Sequence, residues 1–386
     1  MPFVHFLGSL MESTHDTTVT VLLQETSETS EEFERAQSLV LSHDQRAFAD
    51  RIQKSLRFVL VALSVPLTLC NIAVFAHKDM RSATGIYVIG LSVGQLFYIV
   101  SNTIYAVWTL AVENPLEQVL YCWYVPYVSI YGGVLVAKRA SYVIMCVASV
   151  ERLYAVLRPL HVKEFLLSKR PGLCLLLIYG TTAAWHAYYL AKSKMILVEY
   201  RSTGTTVCRY VSTQLYLDTK QISDAVGRAA TIVLTYISLS LQLVVNVLTV
   251  WALRRHNAAN KHVQSSANEE AKRRQERQLT VTLLGASVSY VMLSLPAALV
   301  NLIPSVAPEV FSRAEYPNLY RVIGDFCFNL TVLGCGVDFF CYMALSSKYR
   351  KTVRRYFDCM KDRSADQARE IQTKEEGTSA IQSRSH

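Results

Sequence analysis

Seven long apolar segments constrain the fold of this chain more than any other feature of its sequence. Each segment has room for the roughly 20 residues that an α-helix needs to cross a bilayer. The segments cover residues 58–76, 85–112, 123–150, 171–191, 229–253, 278–308 and 319–345. Because a backbone in lipid must satisfy its own hydrogen bonds, we expect helices rather than strands. The sequence therefore predicts an all-α membrane protein with a seven-transmembrane-helix bundle.

Composition and motifs exclude several classes of protein. Hydrophobic residues make up 51% of the 386 residues, which is more than a single water-soluble domain needs. The sequence contains no C-x-x-C pair, no hydrolase or kinase motif and no nucleotide-binding loop. We therefore expect no enzymatic activity, no metal site and no cofactor.

The distribution of basic residues predicts how the chain crosses the membrane. Lysines and arginines crowd the connections after the first, third and fifth segments and the stretch after the seventh. Short connections rich in these residues stay on the cytosolic side. This pattern predicts a multi-pass plasma-membrane protein with an extracellular N-terminus and a cytoplasmic C-terminus. Residues 1–56 would form an extracellular tail, with a helical end near 33–54, ahead of the seven-helix domain at 57–345.

The stretch after the seventh segment, SSKYRKTVRRYF, is amphipathic. Four of its residues share one helical face, with basic residues around them: Tyr349, Val353, Tyr356 and Phe357. This pattern predicts a short amphipathic eighth helix at 346–358 that contacts membrane lipid on the inner leaflet. Cys359 follows directly and is a candidate for palmitoylation, although an unmodified cysteine fits equally well. The charged, serine-rich remainder at 359–386 predicts a disordered cytoplasmic tail.

Two cysteines fall in the predicted extracellular connections. Cys122 directly precedes the third segment, and Cys208 lies in the long connection between the fourth and fifth segments. The extracellular compartment is oxidising, so that a disulfide can persist there. We therefore predict a bridge between Cys122 and Cys208.

The inner end of the third segment carries the sequence SVERLYAVLRPL at residues 149–160. Arg152 lies where the hydrocarbon gives way to water, and its charge requires a partner. One interpretation is that Glu151 and Arg152 only mark the end of a membrane span, as charged residues often do. The other is a switch, in which Glu151 holds Arg152 at rest and releases it on activation.

Together these features resemble the rhodopsin-like G protein-coupled receptors over residues 57–357. The motifs that carry the resemblance are Asn71, LSVGQ at 91–95, Glu151-Arg152-Leu153, Pro296 and DFFCY at 338–342. The stretch RASYVIMCVASVERLYAV is similar to invertebrate peptide receptors related to FMRFamide receptors, and to molluscan chemosensory receptors. The resemblance implies an extracellular ligand, a heterotrimeric G protein as the cytosolic partner, and arrestin as a further candidate partner.

The resemblance also assigns residues to G protein coupling near the inner face. They are Glu151, Arg152, Leu153, Glu276 and Tyr342. Glu276 stands where many relatives place an acidic partner that locks the arginine. The alternative is that Glu276 only neutralises the neighbouring arginines Arg273, Arg274 and Arg277 on a solvated face.

Three residues correspond to a buried polar site of that family: Asn71, Gln95 and Asp338. Gln95 stands where the family usually has an aspartate, and Asp338 where it usually has an asparagine. The carboxylate has thus moved from the second helix to the seventh. A carboxyl group inside a span usually faces the bundle interior. Asp338 could bind a sodium ion, carry a proton or have a purely structural role, and the sequence leaves these alternatives open.

Four residues are candidates for the ligand pocket: Val134, Lys138, Ser294 and Asp325. Val134 stands where amine receptors of the family have an aspartate, which disfavours an amine ligand, and Ser294 replaces a usual tryptophan. Lys138 and Arg139 lie at mid-bilayer depth and point about 100° apart, so that at most one needs to face the cavity. By resemblance Lys138 faces it, and its charge favours a ligand carboxylate, such as a peptide C-terminus or an acidic metabolite. The alternative is that Lys138 pairs with an intramembrane acid such as Asp325.

Two other classes of membrane protein compete with a receptor. A seven-helix transporter or channel would carry internal repeats and broken helices near the midplane, and the sequence shows no repeat. A membrane-embedded enzyme would need paired acids or metal ligands at helical spacing, which the sequence does not offer. The sequence therefore favours a receptor.

Overall fold

The computed structural model describes residues 43–80, 82–111, 127–187, 193–200, 205–259, 267–306, 317–356 and 358. Its long helices follow the predicted apolar segments in order. They are α1 (His43–Ala76), α2 (Ala83–Ala111), α3 (Tyr127–Leu157), α4 (Pro171–His186), α5 (Lys220–Thr231, Ile232–Ile237 and Ser238–Ala259), α6 (Ala267–Val306) and α7 (Pro317–Leu345). A further helix, α8, covers residues 347–356. This architecture confirms the predicted helical membrane bundle.

The lengths and surfaces of these helices suit a bilayer. Within the described part of the chain, α1, α2, α3, α5, α6 and α7 are long and apolar enough to cross a membrane. α4 has 16 described residues, and residues 188–191 of the fourth predicted segment lie outside the described part. Large apolar side chains are exposed on the bundle surface, for example Leu176, Val247 and Met292. Such a surface is costly in water and favourable in lipid.

Two helices begin well before the apolar segments that predicted them. α1 begins at His43 instead of residue 58, and α6 begins at Ala267 instead of residue 278. The added part of α6, ANEEAKRRQER, consists largely of strong helix formers, so the helix exists where the hydrophobic run does not. Hydropathy marks only the part of a helix that lipid surrounds, so the apolar segments are shorter than these helices. Residues 43–54 of α1 fall within the helical end predicted at 33–54, of which residues 33–42 lie outside the described part of the chain.

The region between α4 and α5 departs from helical structure. β1 (Ser193–Tyr200) pairs antiparallel with β2 (Thr205–Ser212), and Leu197 lies opposite Cys208. α5 itself contains a π-helical stretch, Ile232–Ile237, and no proline. A π-helical turn in an α-helix often lies at a functional site.

The helices close into a ring, since α1 contacts both α2 and α7. α3 is the central element, because it contacts α2, α4, α5 and α6. Its polar side chains can therefore reach partners on several helices, which matters for every site described below.

The apolar face of α8 packs against the bundle. Tyr349 and Val353 are buried, and the Tyr349 ring lies 5.6 Å from that of Phe75 on α1. Burial raises the pKa of the Tyr349 phenol above its ordinary value, so the hydroxyl keeps its proton and donates to Asn71 Oδ1 at 2.6 Å. The amphipathic pattern of α8 thus reflects protein packing, and lipid contact by its remaining surface stays a prediction.

Candidate functional site

Glu151 and Arg152 form a bidentate ion pair near the C-terminal end of α3. Arg152 Nε donates to Glu151 Oε2 at 2.6 Å, and Arg152 Nη2 donates to Glu151 Oε1 at 2.7 Å. Glu151 is 1% exposed, so the pair is shielded from water on the carboxylate side. Parallel charge-assisted hydrogen bonds of this kind are among the stronger polar interactions in proteins. In this structure the arginine is therefore held, as the switch interpretation requires.

Two further residues fix the Glu151 carboxylate. The Thr84 hydroxyl on α2 donates to Oε2 at 2.9 Å, and the Ser168 hydroxyl donates to Oε1 at 3.0 Å. Ser168 lies in the short helix Leu166–Lys169 that follows α3. Sequence reasoning missed both residues, because neither lies near Glu151 in the chain and a lone Thr or Ser carries no pattern. Glu151 thus joins α2, α3 and the connection between α3 and α4.

The other residues assigned to coupling are placed less completely. Leu153 is partly buried in the turn after Arg152. Tyr342 is buried, with its ring 5.0 Å from Phe75 and 5.5 Å from Tyr349. Glu276 belongs to α6, but its side chain lies outside the described part of the structure. The lock between Arg152 and Glu276 therefore stays a prediction.

A crevice opens beside Arg152 between α3, α5 and α6. The crevice is narrow, and its walls include Met145, Arg152, Asn246 and Leu283. The Arg152 side chain therefore lies in the wall of a narrow crevice that three helices share.

The predicted polar site in the middle of the bundle is partly assembled. Gln95 Nε2 on α2 donates to Asp338 Oδ2 on α7 at 3.0 Å, and both side chains are 2% exposed. Gln95 Oε1 and Asp338 Oδ1 have no hydrogen-bond partner among the described residues. Asn71 uses its carbonyl oxygen for Tyr349 of α8 instead. The pair thus retains acceptor oxygens that a proton, a water molecule or a cation could satisfy.

Two of the candidate pocket residues, Val134 and Lys138, lie where α3 faces α2 and α7. Val134 is buried in a cluster with Tyr98 and Cys335. The Lys138 ammonium lies 5.7 Å from the centroid of the Tyr98 ring, which gives it a cation–π contact. Among the described residues, no carboxylate pairs with Lys138. Ser294 of α6 is buried and borders Tyr142 of α3.

Asp325 has a different partner from the one considered from sequence. Arg57 Nη2 of α1 lies 2.6 Å from Asp325 Oδ1, and the Arg57 guanidinium also lies over the Phe328 ring at 4.3 Å. Arg57 stands directly before the first apolar segment. Its position at the predicted extracellular end of that segment is the sequence feature from which a pair with Asp325 could have been predicted.

Arg139 points away from Lys138, as their angular offset predicts. Its Nη1 contacts His186 Nε2 of α4 at 2.5 Å, and its Nη2 donates to Thr231 Oγ1 of α5 at 2.6 Å. The two adjacent cations of α3 thus contact different helices, Arg139 on α4 and α5 and Lys138 on α2. Only Lys138 faces α2 and α7.

The predicted disulfide lies outside the residues that the structure describes. Cys122 and Cys359 fall in undescribed stretches, and for Cys208 only the backbone in β2 is described. Both the bridge and the palmitoylation therefore stay predictions.

The chain matches the model of a known protein family. Residues 68–342 match the family described as 7 transmembrane receptor (rhodopsin family), which is well over half of the chain. This range includes Asn71 and the Glu151–Arg152 pair, and Tyr342 is its last residue. A search of curated proteins finds no significant match.

Proposed function

Because the chain belongs to the rhodopsin family of seven-transmembrane receptors, we propose that it binds an anionic extracellular ligand and activates a heterotrimeric G protein through Arg152. The receptor class follows from the family. The ligand class, the G protein, the orientation of the termini and the further partners, arrestin and inner-leaflet lipid, belong to the proposal.

The ion pair between Glu151 and Arg152 is the observation that supports this coupling mechanism. Glu151 holds one edge of the guanidinium through two hydrogen bonds, and the narrow crevice between α3, α5 and α6 lies directly beside it. If the ion pair with Glu151 breaks, the N–H groups of the Arg152 guanidinium can donate hydrogen bonds to carbonyl groups of an inserted partner segment. A ligand that favours the open arrangement would thereby increase the population competent for the G protein.

The ligand class rests on the charge of Lys138. Its ammonium lies at mid-helix depth and makes a cation–π contact with the Tyr98 ring, while Asp325 is already paired with Arg57. A cation at this depth requires a counter-charge or water. A ligand carboxylate would supply the counter-charge, which favours a peptide with a free C-terminus or a small organic acid.

The test is a ligand screen on cells that express the receptor with a panel of G proteins. Peptides with free and with amidated C-termini, and small acids with their amides, are compared by calcium and cyclic AMP responses. We expect activation by free acids and guanine-nucleotide exchange on a G protein in isolated membranes. Activation by the amides at equal potency would contradict the anionic ligand, and agonist binding without any exchange would contradict G protein coupling.

A further inference from the structure

A buried cluster of hydrogen-bonding side chains joins α3, α5 and α6. We call it the inner polar cluster, and it consists of Ser149, Gln242, Asn246 and Ser287. Their exposed fractions are 8%, 0%, 6% and 3%. Ser149 is the first residue of the stretch SVERLYAVLRPL, whereas Gln242, Asn246 and Ser287 belong to none of the sequence motifs. Buried polar groups are costly unless they are paired, so the arrangement of the cluster is tightly constrained.

The Ser287 hydroxyl is the hub of the cluster. It accepts hydrogen bonds from Gln242 Nε2 at 2.8 Å and from Asn246 Nδ2 at 2.9 Å. Its single hydrogen lies within reach of Asn246 Oδ1 and of Ser149 Oγ, each at 3.2 Å. A serine hydroxyl has one donor and two acceptor sites, so the capacity of Ser287 is fully used. One α6 side chain thereby contacts both α5 and α3.

The position of the cluster connects it to Arg152. Ser149 precedes Arg152 by one helical turn on α3. Ser149, Asn246 and Ser287 also line the crevice beside Arg152. Movement of the inner part of α6 away from α3 and α5 would widen this crevice, and it would break the hydrogen bonds that meet at Ser287.

We propose that Ser287 is a positioning residue whose hydroxyl holds α6 against α3 and α5, and so keeps the crevice beside Arg152 closed without ligand. The inner polar cluster then sets the basal activity of the receptor. This inference rests on the proposed role of Arg152 only for its signalling consequence, because closure of the crevice can be measured by itself.

Removal of the hub has a defined physical result. In Ser287→Ala, the amides of Gln242 and Asn246 lose their shared hydroxyl acceptor while they remain buried, and Gln242 Nε2 keeps only its longer bond of 3.3 Å to the Ser287 carbonyl. A buried amide donor without an acceptor raises the free energy of the closed arrangement. When the helices separate, water can accept from these amides, so the open arrangement does not carry this penalty. We expect the open-to-closed ratio to rise by about fivefold to 30-fold.

The chain offers matched controls. Thr249 lines the same crevice, but its hydroxyl donates to the Val245 carbonyl of its own helix at 2.8 Å. Thr282 of α6 is 1% exposed and bonds within its own helix to Gln278. Thr249→Val and Thr282→Val remove a buried hydroxyl without removing a bond between helices. Ser287→Thr keeps the hydroxyl and should restore closure.

The experiment measures the distance between spin labels on the full-length receptor without ligand. Labels are placed at Leu157→Cys, the exposed last residue of α3, and at Arg277→Cys, an exposed residue directly before the apolar part of α6. Reactive native cysteines are first changed to serine. We expect Ser287→Ala alone to shift the distance distribution toward the longer distance, with a matching rise in agonist-independent nucleotide exchange per surface receptor.

The outcomes separate the two proposals. A longer α3–α6 distance without added exchange would support the role of Ser287 and contradict G protein coupling. An unchanged distance with only a lower melting temperature would overturn the inference, because the cluster would then stabilise the fold without controlling the crevice. An equal shift in Thr249→Val would overturn it as well.

Discussion

The Arg57 guanidinium of α1 lies 2.6 Å from the Asp325 carboxylate of α7. Arg57 Nε also lies 3.5 Å from Asn329 Oδ1, so the arginine contacts α7 at two positions. This pair accounts for the charge of Asp325 and leaves Lys138 without a described carboxylate. The ligand prediction and the stability prediction below both follow from this assignment.

Lys138→Met is expected to weaken activation by an anionic agonist. Losing one partner of a desolvated charge pair costs about 2–5 kcal/mol, which corresponds to roughly a 30- to 4,000-fold loss of potency. The measurement is the half-maximal agonist concentration at matched surface expression. The uncharged amide of the same agonist is the control, since it should act equally on both receptors. Equal loss with the acid and the amide would show that Lys138 has a structural role.

The pairing of Arg57 with Asp325 predicts a specific pattern of rescue. Asp325→Asn and Arg57→Met should each lower the melting temperature, and the double variant should lose less than the sum. For a partly exposed pair we expect a coupling of about 1 kcal/mol. The matched comparison is Lys138→Met combined with Asp325→Asn, which should be additive. If Lys138→Met, rather than Arg57→Met, offset the loss of melting temperature caused by Asp325→Asn, the result would contradict the pairing of Arg57 with Asp325.

The positive-inside pattern predicts which terminus faces the cytosol. An epitope tag after residue 2 should stain on intact cells, and a tag at residue 386 should stain only after permeabilisation. The opposite pattern would place the Glu151–Arg152 pair outside the cell, and no coupling role for it would survive.

The extracellular placement of Cys122 and Cys208 predicts a disulfide between the start of α3 and β2. Proteolysis without reduction should yield one linked peptide pair, which separates when a reductant is added. Recovery of two alkylated free thiols from surface receptor would disprove the bridge. A Cys208→Ser variant, which should show reduced surface expression, provides a second measurement.

Much of the fold could be predicted because the bilayer imposes a simple pattern on the sequence. An apolar run of sufficient length indicates a helix whatever its tertiary neighbours are, and the seven runs give the order of α1 to α7. The helix ends at His43 and Ala267 could not be predicted in this way, since they lie in polar sequence. There, helix propensity and packing decide the boundary.

The candidate site could be predicted only where a charge is out of place in the membrane. The sequence predicts a role for Arg152, Lys138 and Asp338 for that reason. Thr84, Ser168 and Ser287 did not, because a hydroxyl is common in helices and its partners are far away in the sequence. Their importance depends on which helices meet, and that is a property of the tertiary structure.

The central claim is that Arg152 activates the G protein once Glu151 releases it. The Arg152→Ala variant tests this claim most directly. Arg158→Ala is the matched control, because Arg158 is exposed just after the end of α3. Both variants are compared with the natural receptor at equal surface density, and agonist-stimulated nucleotide exchange on the G protein is measured. We predict that Arg152→Ala binds agonist but loses exchange, while Arg158→Ala keeps it. Normal exchange by Arg152→Ala would contradict the account.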